Sequence, residues 1–241
     1  MASSNGFGAR MRGQLQELEG HNAAELDAAA DLVHRVLERD GLVYAAGSGH
    51  SLALVLETFY RAGGLACVYP VFHPALLPLA GGQASTLLER AGGLADTLLA
   101  QASPGEGDAA FIFSNSGVNP FPVELAKGFR RAGTPVVAVV SVPHMRQAPA
   151  RAGVRLGELA DHVIDTRVPY GDAAYPAGGS DTGALSSLAS VYAWNLLLAR
   201  LADRAKESGI ELPLWTSANV EGGERRNADL FARYRSRIPV L

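Results

Sequence analysis

Apolar positions along the chain follow two rhythms. The first is helical. Between residues 11 and 39, Leu15, Leu18, Leu26, Ala29, Ala30, Val33, Val36 and Leu37 recur three or four apart, which predicts helix. Asn22 reads as the N-cap of the second part of that stretch, with Glu25 completing a capping box, and Gly41 ends it. The second rhythm is the short continuous apolar run. LVYAA (42–46), LACVY (65–69), AAFIF (109–113), PVVAVV (135–140) and HVID (162–165) are predicted strands. Helices are expected between them: one ending near Arg61, one over 85–101 weakened by Gly92 and Gly93, and one running to Arg131. The stretch 183–205 is apolar on nearly every side and predicts a helix that is buried or lies at a subunit interface. Residues 70–84, most of 141–161 and 166–182 read as loops, and 209–241 as a tail ending in a short helix. Continuous apolar strands alternating with helices predict an α/β fold, with a five-stranded parallel sheet flanked by helices in three layers. No internal repeat or linker interrupts it. One domain over 1–241 is expected, with residues 1–40 as an N-terminal helical extension.

Composition narrows the classes. Apolar residues make up 48% of 241, enough for a sizeable core. Charged residues are only 19% and the net charge is −3, which argues against nucleic acid or a membrane as a partner through bulk positive charge. No apolar run approaches the ~20 residues of a spanning helix. The first residues, MASSNGFGARMRGQ, lack the apolar centre of a signal peptide. Cys67 is the only cysteine, so no intrachain disulfide can form. A soluble cytoplasmic protein is expected.

Candidate chemistry sits in two loops. GSGHS (47–51) ends the first strand and SNSGVN (114–119) ends the third, and each opens a helix. Free N–H groups and the positive dipole end of a helix attract an anion. Ser51, Ser114 and Ser116 add uncharged donors, and Gly47, Gly49 and Gly117 let the backbone approach closely. Taken singly, either loop is more often a helix cap. Two such loops at the carboxyl ends of strands of one sheet favour a phosphate cradle. Neither loop has the lysine of the nucleotide-binding P-loop, and GSGHSL lacks the third glycine of the dinucleotide fingerprint.

GSGHS, FYRAGG, FSNSGVNPFPVELAK, VIDTRVPYGDA and SANVEGGERRN together resemble the sugar isomerase (SIS) family over nearly the whole chain. The last of these motifs resembles a narrower bacterial group of sugar-isomerase-domain proteins. The resemblance implies a flavodoxin-like sandwich, a phosphosugar ligand without a cofactor, and a homodimer with shared active sites. It implies binding of phosphate and sugar by Ser48, Gly49, Ser51, Ser114, Asn115, Ser116, Gly117 and Asn119, with Asn219 and Glu221 closing from the tail. One departure is Val118, where related sequences often carry arginine.

Glu89 falls where the related N-acetylmuramic acid 6-phosphate etherases place a catalytic glutamate. A glutamate is a suitable base for the proton on sugar carbon 2 when burial raises its pKa. Its plainer role is a surface acid paired with Arg90 or another neighbour. Glu57, six residues after Ser51, is a second candidate ~9 Å along the helix, with Arg61 as its i+4 partner. His50, inside the first loop, can contact substrate or serve as an acid. His73 is a weaker candidate, and His34, His144 and His162 read as structural. Asp165, Asp172 and Asp181 could hold sugar hydroxyls or a metal, although turns favour Asp anyway. No spacing suggests a tight zinc site. The expected activity is abstraction of the carbon 2 proton of an amino-sugar 6-phosphate followed by β-elimination. Aldose–ketose isomerisation and non-catalytic sugar-phosphate sensing are the alternatives.

Overall fold

The computed structural model describes residues 5–176 and 182–241. The chain runs through α1 (Asn5–His21), α2 (Ala23–Glu38), β1 (Val43–Gly47), α3 (Leu52–Thr58), β2 (Val68–Val71), α4 (Gly82–Arg90) and α5 (Leu94–Ala102). It continues with β3 (Ala109–Phe113), α6 (Pro120–Arg131), β4 (Val136–Val140), α7 (Val142–Gln147), α8 (Leu156–Leu159) and β5 (His162–Asp165). It closes with β6 (Ala173–Tyr175), β7 (Thr182–Ala184), α9 (Ser186–Ser208) and α10 (Gly223–Tyr234).

The five expected strands form one sheet in the order β2-β1-β3-β4-β5, all parallel. Every residue of β1, β3 and β4 is buried, as strands covered on both faces must be. Helices α2, α3 and α9 pack together as one group, and α4, α5, α6 and α8 as another. From α9, Trp194 meets Phe111 of β3 edge-on at 5.2 Å between ring centres. Among the described residues, no helix is long and apolar enough to cross a membrane.

The differences from the expected elements have local causes. The first helix breaks at Asn22, which stands at the N-cap position of α2 as expected but whose side chain makes no capping bond. Instead Asn22 Nδ2 donates to the carbonyls of Leu18 (2.7 Å) and Asp165 (2.8 Å), and its Oδ1 accepts from Asp165 N–H (2.7 Å). The helix expected over 85–101 is two helices, parted at Gly92–Gly93, with Gly93 at φ +93°. The second strand begins three residues late, because Leu65 bridges Leu214 of the tail. Part of the expected loop 166–182 is the antiparallel pair β6–β7. Finally, α9 is not apolar all round. Its buried stripe includes Ala189, Ala193, Trp194, Leu197 and Leu201, while Arg200 and Arg204 pair with Asp27 of α2 at 3.2 Å each.

Candidate phosphosugar site

The strand order makes a switch point. After β1 the chain leaves toward β2 on one side, and after β3 it leaves toward β4 on the other. Ligands of open α/β sheets bind in the crevice such a divergence leaves at the carboxyl ends. Both serine loops lie there, because Gly47 pairs with Phe113 at the last register position of β1 and β3.

The first loop leaves β1 through extended Ser48, turns at Gly49 (φ +57°) and enters a single 3₁₀ turn before α3. A side chain at Gly47 would meet the Ser51 carbonyl oxygen at 2.9 Å. The second loop is tied down by its own backbone. Ser114 N–H donates to Val139, Ser141 N–H to Asn115 and Leu156 N–H to Gly117. Gly117 sits at φ +59° and donates its N–H to Ser114 Oγ at 3.1 Å. Ser114 therefore acts in part as a turn cap. The hydroxyls of Ser48, Ser51 and Ser116 have no protein partner among the described residues, so they are free to bind a ligand.

The loops floor a polar cavity of about 560 Å³. The structure brings Ser48, Gly49, His50, Ser51, Glu89, Ser114, Asn115, Ser116 and Asn119 together on its walls. Gly117 is buried beneath it, against Met145, Leu156 and Val140. Glu57 and Asn219 are not brought to it. The Glu57 carboxylate binds Arg61 and accepts from Asn195 Nδ2 at 3.2 Å, while Asn219 belongs to the exposed tail beside Ser217. Glu221 is likewise exposed in that tail. His73 caps a turn through Ala75 N–H, His34 meets Ser208 Oγ at 2.8 Å, and His162 faces Glu25 at 3.3 Å. The Asp165 carboxylate accepts from Val142 and Arg167 N–H, both at 2.9 Å, and so serves the backbone. Asp181 lies outside the described residues.

Glu89 is half-buried on the last turn of α4. Asn119 Nδ2 donates to its Oε1 at 2.6 Å, and Arg151 Nη1 donates to Asn119 Oδ1 at 3.0 Å. The carboxylate is thus held by an amide that is itself held by a guanidinium. Its other oxygen, Oε2, lies 4.0 Å from where a Cβ on Gly49 would sit, so it faces the first loop. Val118 is fully buried, and its valine takes no charge from the cavity wall. Arg151 supplies a cation there instead, from the connection between β4 and β5.

Of the remaining lining residues, Asp172 was a candidate in the sequence, whereas His144, Tyr170 and Arg151 were not. His144, read there as structural, lines the cavity at the start of α7. Its Nδ1 lies 3.3 Å from Asn115 Nδ2, and its ring lies 4.9 Å from that of Tyr170. Burial lowers its pKa below the ordinary value, and the charge of Asp172 opposes that shift. Asp172, at φ +68°, accepts from the N–H groups of Leu185 (3.0 Å) and Ser186 (2.8 Å) and from Ser186 Oγ (2.6 Å). It caps α9, so the dipole of that helix already has its anion. A second concavity of about 440 Å³, beside α3 and β2, is lined mainly by Leu52, Val55, Leu56, Phe59 and other apolar residues, with Tyr69 and Gln101 among its few polar side chains.

A divergent parallel sheet with two serine-rich helix starts at its switch point defines an α/β fold with a crevice suited to an anion. The chain belongs to the SIS domain family, whose family model matches residues 6–141. Over 230 residues it is 37% identical to a UPF0309 protein of Brucella anthropi, spanning 95% of this chain and 94% of that one. Over 241 residues it is 32% identical to a UPF0309 protein of Geobacillus kaustophilus, spanning 98% and 96%. Among solved structures it is similar to the phosphoheptose isomerase of Neisseria gonorrhoeae, with a TM-score of 0.52 at 18% identity over 83% of this chain and 94% of that one. It is also similar to the sugar isomerase domain of an RpiR transcription factor from Sphaerobacter thermophilus, with a TM-score of 0.51 at 16% identity over 95% of each. At those identities the structural likeness is one of fold.

Proposed function

We propose that this protein is a phosphosugar enzyme that removes the carbon 2 proton of an amino-sugar 6-phosphate, such as N-acetylglucosamine 6-phosphate. The observation that carries this is the place of Glu89. A carboxylate held at 2.6 Å by Asn119 stands beside the loop whose serines and N–H groups suit a phosphate. The phosphate anchors one end of the sugar, and Glu89 takes the proton near the other. The electron pair of the broken C–H bond passes into an enolate. If the carbon 3 substituent then leaves, the result is β-elimination, the branch we favour because Glu89 resembles the etherase glutamate in position. On a sugar phosphate with a hydroxyl on carbon 2, return of the proton to carbon 1 and passage of the O2 hydroxyl proton to O1 would instead give aldose–ketose isomerisation. Dimerisation with shared sites is part of the proposal, and sedimentation tests it.

The test is incubation with N-acetylglucosamine 6-phosphate in deuterated water, with the carbon 2 proton followed by NMR. Wild type is expected to lose that signal, and Glu89→Gln to slow the loss by ~10²-fold or more, the usual scale for a general base. The product spectrum shows whether the carbon 3 substituent has left, and a hexose 6-phosphate with a carbon 2 hydroxyl, run alongside, tests isomerisation. Binding of the sugar phosphate with no loss of the proton would point to a sensor instead.

A further inference from the structure

Asn119 stands at the N-cap position of α6, where an asparagine ordinarily accepts from the N–H of the second or third helical residue. Here it makes no such bond. The third helical residue is Pro122, which has no N–H to give, and Pro120 at the first position has none either. The side chain is left without a capping role, yet it is only 8% exposed, so its polar atoms need partners. It finds them on two other segments. Nδ2 donates to Glu89 Oε1 at 2.6 Å, and Oδ1 accepts from Arg151 Nη1 at 3.0 Å. Only one orientation of the amide serves both. A guanidinium has donors alone, so the amide oxygen must face Arg151 and the NH2 group must face the carboxylate. Arg151 reaches in from a fixed backbone. Its N–H donates to the Val118 carbonyl at 3.1 Å, and further along the same connection Leu156 N–H donates to Gly117 at 2.8 Å. Among the described residues its guanidinium makes no other bond, so it is not half of a surface ion pair. On the other side, Glu124 of α6 accepts from Gly93 N–H at 2.9 Å, which ties the end of α4 to the helix that Asn119 begins.

We propose that Arg151 is a positioning residue for Glu89 and acts on it through Asn119. The guanidinium holds the amide in the one orientation that offers N–H to the carboxylate. By binding Oδ1 it also polarises that N–H toward Glu89. Oε1 is thereby occupied, and Oε2 is left facing the first serine loop, where the proposed function needs its proton acceptor. Without Arg151 the amide is free to turn its oxygen toward the carboxylate, which repels it, and the Glu89 side chain loses its anchor. The backbone of Glu89 stays in place, because the bond from Gly93 to Glu124 does not depend on Arg151. What is lost is the aim of the carboxylate, and a misplacement of ~1 Å is enough to cost ~10²-fold in rate. Arg151 needs no contact with the sugar for this role.

This inference rests on the proposed function, and its test separates the two. Carbon 2 exchange of N-acetylglucosamine 6-phosphate would be timed in wild type, Arg151→Leu, Arg151→Lys, Asn119→Leu and the double variant, each checked for folding by its melting curve. The side-chain amide of Asn119 would be followed by NMR in wild type and Arg151→Leu, without substrate. Arg151 is exposed, so its variants should fold. Arg151→Leu should slow exchange ~10- to 10²-fold through kcat, with apparent KM within ~2-fold of wild type. Arg151→Lys, which keeps a cationic donor, should recover part of the rate. Asn119→Leu should slow exchange at least as much, and adding Arg151→Leu to it should cost nothing further, the mark of two residues acting through one contact. The Asn119 amide resonances should shift in Arg151→Leu. If Asn119→Leu does not fold, those resonances and the lysine variant decide. A loss in Arg151→Leu that appears in KM, or that multiplies with the loss in Asn119→Leu, overturns the inference and leaves the function standing. So does exchange in Arg151→Leu within ~3-fold of wild type, a lysine no better than leucine, or an unchanged Asn119 amide. Absence of exchange in wild type overturns both.

Discussion

Replacing Asn22 with alanine should destabilise the whole domain, although the residue does not line the cavity. β5 is an edge strand, so its outer N–H and C=O groups need partners. Asn22 supplies them as a neighbouring strand would. Its amide both donates to the Asp165 carbonyl at 2.8 Å and accepts from Asp165 N–H at 2.7 Å. One residue further on, Gln14 Nε2 donates to the Thr166 carbonyl at 2.6 Å. The alanine variant loses three hydrogen bonds, including the one to Leu18, at a site only 1% exposed where water cannot replace them. At ~1 kcal/mol each, the loss is ~3 kcal/mol. For a chain of this size that lowers Tm by ~6–12 °C. The assay is urea unfolding followed by circular dichroism, with a lower midpoint and an unchanged slope. Asn22→Asp is a second probe. It keeps an acceptor for Asp165 N–H but sets a carboxylate against the carbonyls of Leu18 and Asp165. It should be at least as unstable at pH 7 and recover as acid restores a donor. A shift within ~0.5 kcal/mol for Asn22→Ala, the range of an ordinary surface change, would refute the idea that this side chain completes the sheet edge.

Other expectations follow from single sites. Gly117→Ala forces a side chain into a left-handed backbone, at a cost of ~1–2 kcal/mol, with Met145 Sδ only 3.1 Å from the new methyl; sugar-phosphate affinity measured by calorimetry should fall with stability. The His144 ring should titrate below the ordinary histidine value of 6.5 when followed by NMR. Its folded pKa is depressed, so its contribution to stability is present above 6.5 and is lost as pH falls through the folded value; wild type should lose more stability than His144→Gln over that acidic range. Burial pushes the Cys67 thiol up to about 12, so a thiol reagent should leave the native protein unmodified at pH 8 and react once it is unfolded.

The sheet was legible because β1, β3 and β4 are continuous apolar runs that only a doubly covered strand requires. The start of β2 was not. Leu65 and Ala66 are as apolar as Val68, and what removes them from the strand is the tail, where Ala66 N–H donates to Pro213. The side chain of Asn22 misled for a related reason: a favoured cap residue was recruited by a strand 143 positions away. The site divides in the same manner. Ser48, Ser51, Ser114 and Ser116 sit in loops whose chemistry is written locally, and the Glu57–Arg61 pair is a helix neighbour pair. Arg151, His144, Tyr170 and Asp172 come from connections with no periodic signal, and only tertiary packing carries them to the cavity wall.

The pairing of Gly47 with Phe113 has a thermodynamic consequence. The two serine loops are separated by more than sixty residues, and β2, α4 and α5 intervene between them. They become neighbours only once β1 and β3 are in register, so a chain with that pairing broken has no cradle at all. A phosphosugar that bridges both loops therefore binds the native state alone, and at 100 times its Kd it adds ~2.7 kcal/mol to the unfolding free energy. The rise in melting temperature with added ligand then measures how firmly the centre of the sheet is closed.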